Sequence, residues 1–185
     1  MFQSHLRPNL KFFEYITIEL VDYHNIMDLC KFLTFEEPFF TYFHPHAFDI
    51  ASVLKEIDTG DYYCLMYWCS SPCGYGMLRG YNAGYKIPAL GIAIGQSFNR
   101  KGLGRYLMSH LELVAQLNGA DRIRLTVAKE NPRAIDLYTK CGYTLNDYNE
   151  YNLVGYKTFP KKGETIPEGI DKTITEEDIK HGYRV

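Results

Sequence analysis

The densest chemistry in this chain of 185 residues stands at Asn99-Arg100-Lys101-Gly102-Leu103-Gly104-Arg105. Three cations and two glycines share seven positions. Glycine lets a ligand come close to the backbone. The free N–H groups of a first helical turn, with the helix dipole behind them, suit a phosphate. Arg100, Lys101 and Arg105 either add positive charge there or are ordinary solvated side chains. A cradle needs an element on each side to hold it. Upstream, residues 90–94 are apolar apart from one glycine, and Gln96-Ser97-Phe98-Asn99 breaks that run. Downstream, Leu103, Leu107, Leu111 and Val114 recur at helical spacing. The reading is strand, basic glycine turn, amphipathic helix. A nucleoside-triphosphate loop carries Lys-Ser/Thr after its last glycine, where this chain has Arg105. A dinucleotide fingerprint carries a third glycine where this chain has Leu107.

A second candidate segment follows at Asn131-Pro132-Arg133, with Ala134, Ile135, Leu137 and Tyr138 behind it and Cys141-Gly142-Tyr143 closing it. Asn is a good helix cap and Pro is favoured at the first helical position. Tyr138 is either a core residue of this helix or a hydroxyl available for proton transfer. The alternating strand Ile123–Val127 leads in.

The remaining elements position these two. The pattern predicts a strand over Glu14–Leu20, a helix with Ile26, Met27, Leu29, Cys30 and Leu33 on its stripe, and a second helix over about Phe48–Ile57. An aromatic loop with two prolines, Phe35–His46, separates the helices. Strands are expected at Tyr62–Cys69, Gly74–Arg79 and Ile87–Gly95, with a turn at Ser70-Ser71-Pro72 and a polar loop at Gly80–Lys86. The central helix spans about Gly102–Leu117, and two tyrosine-rich strands run over about Tyr143–Tyr148 and Glu150–Lys157. From Pro160 the chain turns polar without an apolar period. The expected organisation is one domain at 1–158 and a polar tail at 159–185 that packs on the domain or on a neighbouring subunit, or stays extended.

Composition narrows the function. Hydrophobic residues are 46% and charged residues 23%, an ordinary globular balance. A formal net charge of −2 does not suggest a nucleic-acid partner. No apolar run is long enough for a bilayer, and the first residues lack a signal-peptide core, so a cytoplasmic protein is expected. The five cysteines form no C-x-x-C pair, and Cys69 and Cys73 read as free thiols rather than a metal site, so no metal is expected.

Taken together, the two segments resemble the GCN5-related N-acetyltransferase (GNAT) superfamily. Asn99-Arg100-Lys101-Gly102-Leu103-Gly104 is similar to its acyl-CoA turn, Gln/Arg-x-x-Gly-x-Gly/Ala, with Asn at the first position. Asn131, Ala134, Leu137, Tyr138, Gly142 and Tyr143 follow its Asn-x-x-Ala-x-x-Leu-Tyr-x-x-x-Gly-Phe element, with Tyr for Phe at the end. The resemblance covers about Gly91–Tyr143 by motif and reaches about residue 158 by order of elements. It implies an α/β (α+β) fold: a mixed, mostly antiparallel sheet of about seven strands with about four helices, splayed at the acetyl-CoA site.

The activity so implied is acetyl transfer from acetyl-CoA, as co-substrate, to an amine. Ile92, Ala93 and Ile94 would pair with the pantetheine like an added strand. An N–H at or beside Ile94 would face the thioester oxygen. Asn99 through Arg105 would take the diphosphate, Asn131 and Ala134 would contact the cofactor arm, and Tyr138 would protonate the leaving thiolate. Peptide-acetylating relatives often carry Glu where this chain has Thr126. That favours a small amine, such as an amino sugar, over a peptide, with a non-catalytic acyl-CoA-binding protein as the remaining alternative. Glu36, Glu37, His44, His46 or a water chain are the candidates for the general base. The acceptor is expected against the first helix pair and the Gly80–Lys86 loop, whose Tyr81 and Tyr85 offer aromatic faces. A homodimer is left open.

Overall fold

The computed structural model describes residues 14–36 and 60–160, with single positions at 42, 55 and 57. Strand β1 (Ile16–Leu20) leads into helix α1 (Ile26–Glu36). A meander follows: β2 (Tyr62–Trp68), β3 (Ser71–Arg79) and β4 (Ala89–Ile94). A 3₁₀ turn (Gln96–Phe98) precedes helix α2 (Leu103–Leu117). Then come β5 (Arg122–Ala128), helix α3 (Pro132–Lys140), β6 (Thr144–Asp147) and β7 (Asn152–Thr158). All seven strands among the described residues join one sheet in the order β1-β2-β3-β4-β5-β7-β6. β4 and β5 run parallel, while the other neighbours are antiparallel. This is the expected mixed, mostly antiparallel architecture. Three α-helices stand among the described residues; the further helix expected over about Phe48–Ile57 lies outside them apart from isolated positions.

Each strand sends alternate side chains to opposite faces, which gives the sheet two cores. From β2, Cys64 and Met66 pack with Leu107, Met108, Leu111 and Ala115 of α2. Tyr63, Leu65 and Tyr67 pack with Leu29, Phe32 and Leu33 of α1. On β4, Leu90, Ile92 and Ile94 belong to the α2 side and Ala93 to the α1 side. Phe159 is also buried, and its N–H donates to the Asp121 carbonyl at 2.8 Å.

The β2–β3 turn is made by Cys69 and Ser70, at φ 47° and 74°. Two positive φ values in a two-residue loop match the twist of a hairpin. The turn falls earlier than the expected Ser70-Ser71-Pro72, because Ser71 and Pro72 already pair with Trp68 and Tyr67. Gly155 on β7 shows how closely the α2 side is packed. A Cβ there would lie 2.6 Å from Leu145 Cδ2 and 2.8 Å from Leu125 Cδ1. Gly155→Ala is therefore expected to destabilise the fold by about 1–3 kcal/mol, read as a lower urea midpoint at unchanged slope. An unchanged midpoint would mean that the two leucines yield freely.

Candidate active site

The site begins where the sheet comes apart. β4 pairs with β5 at Ala89↔Arg124, and Arg124 N–H donates to the Pro88 carbonyl at 3.1 Å. No further register joins the two strands. On its other edge β4 stays paired with β3 to Gly74↔Ile94, and Gly95 N–H donates to the Cys73 carbonyl at 2.9 Å. Backbone groups alternate sides along a strand. The amides of Ala93 and Gly95 therefore face β3, and those of Ile92 and Ile94 face the opening. Of the three strand residues expected to meet a ligand, Ile92 and Ile94 offer it backbone groups, while Ala93 puts its methyl into the α1-side core.

The basic turn sits at the open end. Asn99 is extended, and Arg100 and Gly102 have φ 62° and 82°. Gly102 is the N-cap of α2, makes no side-chain cap, and accepts Tyr106 N–H on its carbonyl at 3.1 Å. The N–H groups of Leu103, Gly104 and Arg105 precede the first intrahelical bond and have no carbonyl within the helix to meet. The two glycines serve different ends. A Cβ on Gly102 would meet nothing within 4 Å, so its constraint is conformational. A Cβ on Gly104 would lie 3.1 Å from Leu137 Cδ2, 3.9 Å from Ile94 Cγ1 and 4.0 Å from Ile92 Cδ1. Gly104 thus lets α3 close on α2 beside the opening. Its Cβ-free face is spent on Leu137.

The three cations also diverge. Lys101 Nζ stands over the rings of Trp68, at 4.6 Å, and Phe98, at 5.6 Å. A cation on two aromatic faces is held by their quadrupoles, which ties the turn to the end of β2. Arg105 lies beside the Cys141 thiol, which burial pushes up and Arg105 partly restores. Arg100 is exposed.

On α3, Asn131 Oδ1 accepts Ala134 N–H at 3.1 Å, so it caps the helix, and Pro132 follows as the first helical residue. Tyr138 is the buried residue of this helix, 7% exposed, with its ring 6.1 Å from that of Tyr143. Burial, then the charge of Cys141, pushes its hydroxyl up to about 12. Behind it Lys157 Nζ pairs with Glu112 Oε2 at 2.6 Å and lies 5.8 Å over Tyr143. Burial, and then Glu112, push the Tyr143 hydroxyl far above its ordinary range.

Of the candidate bases, Glu36 lies among the described residues and meets the chain just past the end of β4. It is the last residue of α1 and only 4% exposed. Its Oε2 accepts Gln96 N–H at 2.9 Å, and its Oε1 would lie 2.9 Å from a Cβ on Gly95. Glu37, His44 and His46 lie outside the described residues. Tyr42, from the aromatic segment, donates its hydroxyl to the Glu130 carbonyl at 3.1 Å, beyond the end of β5. Thr126 is exposed, on the face away from α2.

The Gly80–Lys86 loop, expected on the acceptor side, stands at the far end of the strands from the opening. It closes the Arg79–Ala89 end of the β3–β4 hairpin, a full strand away from Ile94. Tyr81 packs on the α2-side core instead. The β6–β7 turn lies at the open end instead: Lys129 N–H donates to the Tyr151 carbonyl at 2.9 Å, which brings Tyr151 to the open end of β5. The sequence predicts a tight turn here, near Asn149, but not its place beside the opening. Its one signal was the tyrosine-rich pair of strands around it, but only the β5–β7 register shows which end it occupies. No cluster of His, Cys, Asp or Glu suited to a metal occurs among the described residues, and no described helix is long and apolar enough to cross a membrane.

Comparison with known proteins agrees with this fold. The model of the acetyltransferase (GNAT) family matches residues 22–143. No curated protein matches the sequence. Among solved structures, PaiA N-acetyltransferase from Thermoplasma acidophilum, in complex with coenzyme A, is 17% identical with a TM-score of 0.67, covering 78% of this chain and 99% of that one. Spermidine N-acetyltransferase from Vibrio cholerae, in complex with CoA and spermine, is 19% identical with a TM-score of 0.64, covering 77% and 95%. The ribosomal-protein-S5-alanine acetyltransferase from Vibrio fischeri is 11% identical with a TM-score of 0.66, covering 79% and 94%.

Proposed function

We propose that this chain, which belongs to the acetyltransferase (GNAT) family, transfers the acetyl group of acetyl-CoA to a primary amine of a small molecule. The observation that carries this reading is the opening between β4 and β5, with the Ile92 and Ile94 amides turned into it and the Gly102 turn at its end. The residues fit the cofactor. Ile92 and Ile94 offer strand-like pairing to a pantetheine arm, with Ala93 between them shaping the strand. Asn99 to Arg105 offer an open left-handed turn, uncapped N–H groups and positive charge to a diphosphate. Lys101, held on Trp68 and Phe98, acts there as a strut and a nearby charge. Asn131 and Ala134 form the helix start that flanks the arm.

Bound acetyl-CoA supplies an acetyl group activated as a thioester. The Ile94 N–H is placed to polarise a carbonyl in the opening. Tyr138 keeps a protonated hydroxyl, raised to about 12, on the α2 side. A thiol is a stronger acid than a phenol whose hydroxyl burial has pushed up, so full proton transfer from Tyr138 to the thiolate runs uphill. Tyr138 accordingly serves first as a hydrogen-bond donor to charge growing on sulfur, and its proton follows as the thiol leaves.

A small amine is favoured over a peptide because Thr126 offers no carboxylate on β5. The spermine held by the Vibrio cholerae enzyme is an amine of that class. Tyr42 and Tyr151 near the open end provide aromatic faces on which an amino sugar could stack. The test is acetylation of a panel containing glucosamine, galactosamine, spermidine and an alanine-starting peptide, followed by mass spectrometry of the products. Acetylation of a sugar amine or polyamine at the highest kcat/KM is expected; preference for the peptide would overturn the small-molecule reading.

A further inference from the structure

We propose that Glu36 is a catalytic carboxylate of this enzyme, binding the acceptor's amine and taking its proton; this rests on the acetyl-transfer reading above. Nothing in helix energetics asks for Glu at this position. A helix C-terminus is the negative end of the dipole and favours cations. Burying a carboxylate is costly unless it is compensated. Yet Glu36 is 4% exposed, and its described compensation is one backbone donor, Gln96 N–H at 2.9 Å. The opposing strand end is shaped to admit it, since a side chain on Gly95 would collide with Oε1 at 2.9 Å.

The placement fits an acid–base pair divided by the sheet. Gly95 and Gln96 directly follow Ile94, whose amide faces the opening. Glu36 meets this strand end from α1, on one face of the sheet, while Tyr138 stands on the α2 and α3 face. An amine entering from the α1 side meets the carboxylate as it reaches the opening. As its nitrogen forms the new C–N bond and the C–S bond breaks, one N–H proton passes to Glu36. The sulfur leaves as thiol with a proton from Tyr138. Exchange with water restores both residues, so amide and CoA thiol are the only products. A group that takes the amine's proton on one face and a hydroxyl that gives one to sulfur on the other are what such a reaction requires.

Glu36→Gln isolates the charge. The amide keeps the volume and an oxygen that can accept Gln96 N–H, so a purely structural role survives it. Turnover of acetyl-CoA with glucosamine or spermidine is expected to fall by ~10²–10⁴-fold in kcat. Affinity for acetyl-CoA, followed by fluorescence of Trp68, the single tryptophan, is expected to hold. Glu36→Asp, which keeps the carboxylate, should recover part of the rate and guards against a folding failure of the first variant. Wild-type turnover in Glu36→Gln, or a rate loss matched by lost acetyl-CoA binding, would reduce Glu36 to a strut of the turn and leave the acetyl-transfer reading intact. A wild-type chain that binds acetyl-CoA but acetylates no amine would overturn that reading and this role with it.

Discussion

Tyr138→Phe is expected to lower kcat by ~10²–10³-fold while acetyl-CoA binds as before. The substitution removes one oxygen and leaves the ring in place against Tyr143 and the α2-side core, so fold and cofactor arm keep their support. What is lost is the donor to charge on the departing sulfur. Desolvation favours the neutral form of a phenol, and here it pushes the hydroxyl up to about 12. The sign is clear: this group stays protonated as pH rises through the assay range and ionises only near that value. Wild-type activity should therefore show no loss assignable to Tyr138 between pH ~7 and ~10. A variant that keeps wild-type kcat would make Tyr138 a core residue and nothing more.

Gly102→Val is expected to weaken acetyl-CoA binding by ~10-fold or more with little effect on the fold. Gly102 has φ 82° at the N-cap of α2, and a Cβ there would meet nothing within 4 Å. The cost is therefore conformational: about 1–2 kcal/mol for an L-residue in the left-handed region, and more for a β-branched one. The turn relieves that strain by rotating out of its left-handed form, which re-aims the N–H groups of Leu103, Gly104 and Arg105. A fragment separates this effect from general damage. S-acetylpantetheine lacks the diphosphate, so wild type and variant should use it equally, whereas acetyl-CoA should distinguish them. Equal acetyl-CoA affinity in calorimetry would move the diphosphate away from this turn.

The two motifs were legible because each is local. The Gly102–Gly104 turn and the Asn131–Tyr143 segment are each contiguous in sequence, and the structure brings Gly104 and Leu137 of the two together. The seven strands were legible too, through alternation and turn residues. What stayed hidden depends on pairing between distant segments. That Ala93 turns its amide to β3, while Ile92 and Ile94 face the gap, follows from register alone. Gly104 reads as a phosphate contact through its N–H, and what its sequence does not show is that a Cβ there would meet Leu137, from a helix thirty-three positions on. The resemblance puts the Gly80–Lys86 loop on the acceptor side, but nothing in the loop's own residues says which end of the strands it joins. Glu36 stands beside Glu37, His44, His46 and a water chain as a candidate base, and only the packing of α1 shows that its carboxylate meets Gly95 and Gln96. A local pattern names a residue type, and only the long-range pairing says what it meets.

The most direct measurement is amine-dependent release of CoA thiol from acetyl-CoA by the wild-type chain. Release that requires both the protein and a small primary amine, with the acetylated amine recovered in equal amount, is the expected result. A chain that binds acetyl-CoA yet frees no thiol with any primary amine would mean that the gap between β4 and β5 holds the cofactor without passing on its acetyl group.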